Sequence, residues 1–240
     1  MKNLFKLGSL LTMVMLLAMG TLVTSCGDDD DDTPAPDHTP AGVVAVDLGL
    51  PSGTKWANMN IGASMAEDYG WYFAWGETVG YSGTSTSRSF WWDSYTKFGT
   101  FDSSAAPDYG FTKYNKTNGP TTLQAVDDAA TALWGSKWKM PTAAQMEELV
   151  DNTDKEYATT NGVNGYKFMK KSDHSVFIFL PAAGYFQGES ANPGVLADYW
   201  TSTLDEKAAL AFILYFSQTS IYMFQTARYY GCPIRPVLAK

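Results

Sequence analysis

Two cysteines and two histidines are all that 240 residues offer for thiolate or imidazole chemistry. Cys26 and His38 lie in the N-terminal segment, leaving Cys232 and His174 for the rest. That scarcity excludes a zinc site built from Cys and His, which needs three or four such ligands. No metal and no cofactor is expected. An intrachain disulfide is not expected either, and a domain of about 200 residues does without one because its core is large enough. Excess positive charge is also missing. Of 25 acids, six lie at Asp28–Asp32 and Asp37; of 17 bases, two lie at Lys2 and Lys6. The remainder carries 19 acids and 15 bases, a net charge near −4, which excludes a nucleic-acid binder with its basic patch. The one long apolar run, Leu7 to Val23, is interrupted by Gly8, Ser9, Thr12 and Gly20. It falls short of the ~20 apolar residues of a membrane span.

What that run does fit is a secretory signal peptide over residues 1–25. Lys2 and Lys6 precede it, and small residues follow. Val23-Thr24-Ser25-Cys26 resembles the lipobox of bacterial lipoproteins. The resemblance implies that the Cys26 thiol is acylated and becomes the first residue of the mature chain. Several acyl chains anchor stably, since each buried methylene contributes about 0.8 kcal/mol. Residues 26–41 then read as the lipidated cysteine and a tether. Asp28–Asp32 is a solvated run of like charge, and Thr33 to Pro40 is Pro-rich and extended. The acidic run resembles the surface-export signal of Bacteroidetes lipoproteins. It implies an outer-membrane protein exposed at the cell surface, with a periplasm-facing domain as the alternative.

Residues 42–240 read as a single α+β domain. Val43–Leu50 and Thr54–Ile61 predict an opening hairpin around the Pro51-Ser52-Gly53 turn, and Gly70–Trp75 a further strand. Gly76 to Pro120 shows no sustained period, and long irregular segments in compact domains are uncommon and often functional. Leu123, Val126, Ala130 and Leu133 predict one helix, with Asp127 and Asp128 on its outer face. Thr142 and Gln145 predict a capping box on a second helix, whose apolar stripe is Met146, Leu149 and Val150. Asn161-Gly162 and Asn164-Gly165 predict turns. Strands are predicted over 166–169, 176–180, 199–202, 208–216, 221–224 and 232–237.

Six phrases add to this reading: Val46-Asp47-Leu48-Gly49-Leu50-Pro51-Ser52-Gly53-Thr54-Lys55-Trp56-Ala57, Tyr72-Phe73-Ala74-Trp75-Gly76-Glu77, Trp138-Lys139-Met140-Pro141-Thr142, Phe179-Leu180-Pro181-Ala182-Ala183-Gly184, Tyr199-Trp200-Thr201-Ser202-Thr203, and the stretch Arg228 to Val237. In this order they resemble the Fibrobacter succinogenes major paralogous domain family across the whole domain. The resemblance implies a C-type-lectin-like fold, with two helices on mostly antiparallel sheet and a long loop region. It carries no settled activity with it.

The chemistry that the fold hosts elsewhere finds little here. Calcium-dependent lectins of this fold use Glu-Pro-Asn or Gln-Pro-Asp and then Trp-Asn-Asp. Glu189-Ser190-Ala191-Asn192-Pro193 does not fit, and Trp200 precedes Thr201-Ser202. A formylglycine-generating-like oxidase needs paired cysteines, whereas Cys232 stands alone and reads as a buried, inert thiol. His174, in a polar turn, reads as a surface residue and offers the domain's sole imidazole base. Glu67-Asp68, Asp127-Asp128 and Glu147-Glu148 read as solvated charges rather than a glycosidase pair. Arg228 and Arg235 read as architectural, bridging buried carbonyls or a carboxylate.

Aromatic density is the positive signal. Fifteen of the 46 residues from Tyr69 to Tyr114 are aromatic, twice the chain's 15% average. Trp71, Tyr72 and Trp75 read as plugs between loop and core, while Trp91 and Trp92 stand between an exposed and a packed role. The candidate ligand-binding set is Arg88, Trp91, Trp92, Tyr95 and Tyr109, since flat rings bury large area at little entropy cost. The expected function is a non-catalytic, lipid-anchored surface module that recognises a glycan or a protein. A structural or assembly subunit is the alternative, and an enzyme is least favoured.

Overall fold

Short elements open the domain: β1 Ala45–Val46, β2 Trp56–Ala57, β3 Trp71–Tyr72 and β4 Tyr81–Ser82. After the long loop come α1 Ala129–Trp134, β5 Trp138–Lys139 and α2 Ala143–Asn152. Long hairpin strands follow, namely β6 Thr153–Thr160, β7 Val163–Lys170, β8 Asp173–Pro181, β9 Leu196–Leu204, β10 Leu210–Ser217 and β11 Ser220–Ala227. The two-residue strand β12, Val237–Leu238, comes last. This computed structural model describes residues 37–84, 88–105, 109–115, 119–188 and 192–239. The signal-peptide, Cys26 and acidic-run readings concern residues 1–36 and lie outside the described residues, as do residues 189–191 of the calcium comparison.

The protein is an α+β domain of mostly antiparallel sheets with two helices. The sheet orders are β1-β2-β12-β5, β6-β7-β8 and β11-β10-β9, with β3-β4 a small ribbon. β9 and β10 separate two cores, because both strands bury apolar side chains on both faces. Tyr199, Leu214 and Phe216 point into one core with Met146, Leu149, Phe168 and Ile178. Trp200, Ala211 and Ile213 point into the other with Trp75, Trp134 and Trp138. Period-two alternation of side chains along a strand produces this division. A third cluster, with Tyr72, Phe90, Tyr95, Phe111 and Tyr229, lies beneath the long loop.

Several local readings hold. Thr142 caps α2: the Gln145 amide N–H donates to its hydroxyl, and the Gln145 side chain accepts from the Thr142 N–H at 2.9 Å. Asn161 and Gly162, at φ of 49° and 84°, turn β6 into β7 as a two-residue hairpin requires. Asn164-Gly165, by contrast, lies inside β7. There the Leu180 carbonyl would sit 2.3 Å from any Cβ on residue 165, so the glycine admits a neighbouring strand rather than a turn. The predicted strands 43–50 and 54–61 shrink to two residues each, and of 232–237 only Val237 lies in a strand, β12. β6, whose Asp154-Lys155-Glu156 stretch gives no apolar alternation, was missed by the pattern.

The first helix is the largest departure. Val126 is 73% exposed in a 3-10 turn, and α1 starts only at Ala129. Asp127 and Asp128, expected on the outside, are both buried. Asp128 accepts the N–H groups of Ala130 (2.9 Å), Thr131 (3.0 Å) and Met140 (2.9 Å), so it caps the helix instead of continuing it. Asp127 accepts from Lys97, Lys113 and the Tyr114 hydroxyl. Within the stretch read as tether, Asp37–Thr39 is attached to the domain. The His38 N–H donates to the Trp134 carbonyl, and Trp138 Nε1 donates to the Thr39 hydroxyl at 2.7 Å.

Arg228 and Arg235 are fully buried, as architecture demands, yet neither has a carboxylate partner among the described residues. Arg235 donates to Asn60 Oδ1 (2.8 Å) and to the carbonyls of Ala57 (3.2 Å) and Phe179 (2.8 Å). Burial pushes its guanidinium down to about 10, which leaves it protonated at neutral pH.

The opposite imbalance sits in β9. Asp198 is buried, its Oδ1 has no hydrogen-bond partner, and desolvation pushes its carboxyl up to about 7. Folding therefore favours the neutral acid. The stability this gives is complete below about pH 3.8 and is lost as pH rises through 7. Asp198→Asn should match the natural protein at pH 4 and exceed it at pH 8, by on the order of 4 kcal/mol at most. Urea midpoints of both proteins at the two pH values check this; equal midpoints at pH 8 would refute it.

Candidate functional site

The long loop is held to the core from beneath by one side chain. Arg228 Nε donates to the Tyr95 hydroxyl at 2.9 Å. Its Nη1 donates to the carbonyls of Tyr114 (3.1 Å) and Ala208 (2.9 Å), and its Nη2 to that of Lys113 (3.0 Å). The guanidinium also lies over the rings of Phe111 (4.5 Å), Trp75 (4.8 Å) and Tyr95 (5.4 Å). Rings and carbonyls supply the negative potential that a carboxylate usually supplies. Tyr95 passes the constraint on by donating its hydroxyl to the Trp75 carbonyl at 2.7 Å.

This anchoring divides the predicted site residues. Tyr95 is buried and committed to Arg228, so it is scaffold and cannot touch a ligand. Arg88 is also withdrawn. It pairs with the buried Glu77, donates to the Ser94 carbonyl at 3.2 Å, and lies over Tyr81 and Phe90. Glu77 accepts in addition from the Thr96 N–H (2.7 Å) and hydroxyl (2.9 Å). The pattern of Arg among Ser and Thr gave no hint of this, because the acid lies eleven residues upstream.

Trp92 and Trp91 part company. Trp92 turns inward and is partly buried, with ring centroids 4.4 Å from Tyr229, 5.0 Å from Phe98 and 5.7 Å from Phe111. Trp91 rests against Tyr229 at 5.1 Å and is 45% exposed. Tyr109, 40% exposed, stacks on Phe101 with centroids 6.1 Å apart and planes within 4°. Of the three rings expected to be plugs, Tyr72 and Trp75 are buried, while Trp71 is 39% exposed and lies across Gly62.

Together these rings form a groove of about 400 Å³ lined by Trp92, Phe98, Phe101, Tyr109, Phe111 and Ala209, almost wholly apolar. Phe101, 64% exposed, forms its outer lip. The aromatic density of the sequence pointed to this segment, but the ranking within it missed Phe98, Phe101 and Phe111. Tyr229, which supports both tryptophans, comes from the far end of the chain. Tyr109 and Tyr114 adopt positive φ, 48° and 57°, which costs a non-glycine residue on the order of 1 kcal/mol or more. Tyr114 is fixed there by Arg228 at its carbonyl and Asp127 at its hydroxyl.

Outside the loop face, Cys232 is buried, and desolvation pushes its thiol well above the ordinary value. His174 is exposed at the start of β8, with Nε2 2.7 Å from Asp154. Among the described residues, no three His, Cys, Asp or Glu side chains gather as a metal site would need. Compared with known proteins, the chain matches no family model, no curated protein and no solved structure.

Two substitutions check the scaffold assignments. Arg88→Met leaves the Glu77 carboxylate buried without its cation and should cost ~3–5 kcal/mol in denaturant titration; a loss below about 1 kcal/mol would free Arg88 for ligand contact. Arg228→Lys keeps the charge but not the four-acceptor reach. Limited proteolysis should then cut within residues 76–120 while β6–β11 resists; an unchanged digest would show that the loop is held by something else.

Proposed function

We propose that this protein is a lipid-anchored, non-catalytic binding module of C-type-lectin-like architecture, belonging to the Fibrobacter succinogenes major paralogous domains and displayed at the cell surface. Its loop face seats an apolar group of a protein partner. The observation that carries this reading is the aromatic groove beside the exposed Trp91 and Phe101, an apolar recess held open on a rigid support. Exposed aromatic clusters of this kind mark interaction sites, and binding energy concentrates where large rings meet in a desolvated recess. Support for the architecture comes from β1, β2 and β12 meeting in one sheet, with two helices and a long, largely irregular segment between β3 and α1. A glycan fits this groove less well, since hydroxyls facing an apolar lining lose their hydrogen bonds.

A second reading, an assembly subunit, is favoured by β11. This edge strand carries no charge and exposes Tyr222 and Phe224. Another long edge strand, β6, carries Asp154, Lys155 and Glu156, as protected edges do.

Peptides selected from a random displayed library against the protein should share an aromatic or aliphatic anchor. Phe101→Ala with Trp91→Ala should weaken them roughly tenfold or more. Unchanged affinity in that double variant would remove the groove as the binding face. Failure to select any peptide, with self-association in sedimentation, would favour the assembly reading.

A further inference from the structure

A second recess shares no lining residue with the aromatic groove. It is a cleft of about 570 Å³ between two hairpin ends, lined on one side by Tyr157, Ala158, Thr159 and Asn164 of β6–β7. The other side is the β10–β11 turn, Ser217, Gln218 and Thr219, and Gly194-Val195 closes one end. No charged residue lines it.

Its walls are fixed before any ligand arrives. Tyr157 stands edge-on to Tyr166 at 5.2 Å, and Tyr166 stands edge-on to the core residue Phe216 at 5.3 Å. The Tyr166 hydroxyl reaches the Gln218 carbonyl at 3.5 Å, which ties the two hairpins together. Asn164 is clamped from both sides. Its Nδ2 donates to the Gly194 carbonyl at 3.1 Å, and its Oδ1 accepts from the Thr159 hydroxyl at 2.7 Å. The hydroxyls of Tyr157, Ser217 and Thr219 and the Gln218 amide make no side-chain hydrogen bond to another described residue. One aromatic face is thus surrounded by uncommitted, neutral donors and acceptors.

From this arrangement we infer that the cleft is a second binding site, and that it takes a short stretch of neutral oligosaccharide. A sugar presents a C–H face that stacks on a tyrosine ring and a rim of hydroxyls that both donate and accept. An anionic glycan would need a cation that the cleft lacks, and a peptide side chain would need an apolar pocket, which Val195 and Ala158 alone do not make. The volume lies within the range of small-molecule sites. The inference is independent of the loop face, whose groove has the opposite chemistry.

Calorimetric titration of the protein with short neutral gluco-, manno- and xylo-oligosaccharides, and with oligogalacturonate as the charged control, tests it. At least one neutral series should bind saturably, with affinity reduced roughly tenfold or more by Tyr157→Ala. Gln218→Ala with Thr219→Ala, in an exposed turn, should weaken it as well, whereas Phe101→Ala should leave it unchanged. The turn double variant decides the matter if circular dichroism shows Tyr157→Ala to be misfolded. Silence across the neutral series, preference for oligogalacturonate, or binding unaffected by the turn double variant would overturn the inference.

Discussion

A guanidinium buried without a carboxylate is the constraint on which the loop face depends. Transfer of a full charge from water into an interior is expensive, and it is tolerated only where hydrogen bonds and ring faces offset the lost hydration. Arg228 meets the requirement with three carbonyls, one phenol and three aromatic rings. Those acceptors come from residues 95, 113, 114 and 208, so satisfying one side chain fixes both the middle and the end of an irregular segment. A loop whose described regular structure is one two-residue strand and short 3-10 turns thereby acquires a defined shape. Arg235 does the same for the opening strands through Ala57 and Asn60.

Legibility in the sequence followed the range of the interaction concerned. Thr142 and Gln145 announce their cap because both partners lie within one helical turn. Asn161-Gly162 announces its hairpin for the same reason. Asp127 and Asp128 misled because their partners Lys97, Lys113 and Met140 lie outside any local window. A helical period through Val126 was outweighed by two buried acids that break the helix where they are satisfied. The candidate site suffered likewise. Local composition marked the aromatic segment, but which rings face water was decided by Arg228, Tyr229 and Ala209, all more than a hundred residues from Trp92. Tyr95 and Arg88 read as ligand-binding candidates because nothing near them in sequence reveals the groups that bury them.

The protein carries two recesses of contrasting chemistry on one scaffold. Around Trp92 nearly every lining atom is carbon, and the hydroxyl-bearing residues Tyr95 and Tyr114 spend their polar groups on the support beneath. Around Asn164 the reverse holds, with hydroxyls and amides lining the recess and a single ring among them. Charged residues stay out of both, either paired as Glu77 with Arg88 or spread along β6. Neutral walls let each recess discriminate by shape and hydrogen-bonding capacity rather than by long-range attraction, which salt would screen.

The pairing of Val237 with Trp56 joins strands separated by most of the domain. Until residue 237 has been synthesised, β2 and β5 lack the strand that lies between them, and the acceptors at Asn60, Ala57 and Phe179 wait for Arg235. The consequence is kinetic. Closing so distant a contact is slow relative to forming the local hairpins β6–β7 and β10–β11. The nascent chain therefore passes through a stage in which finished hairpins surround an open sheet.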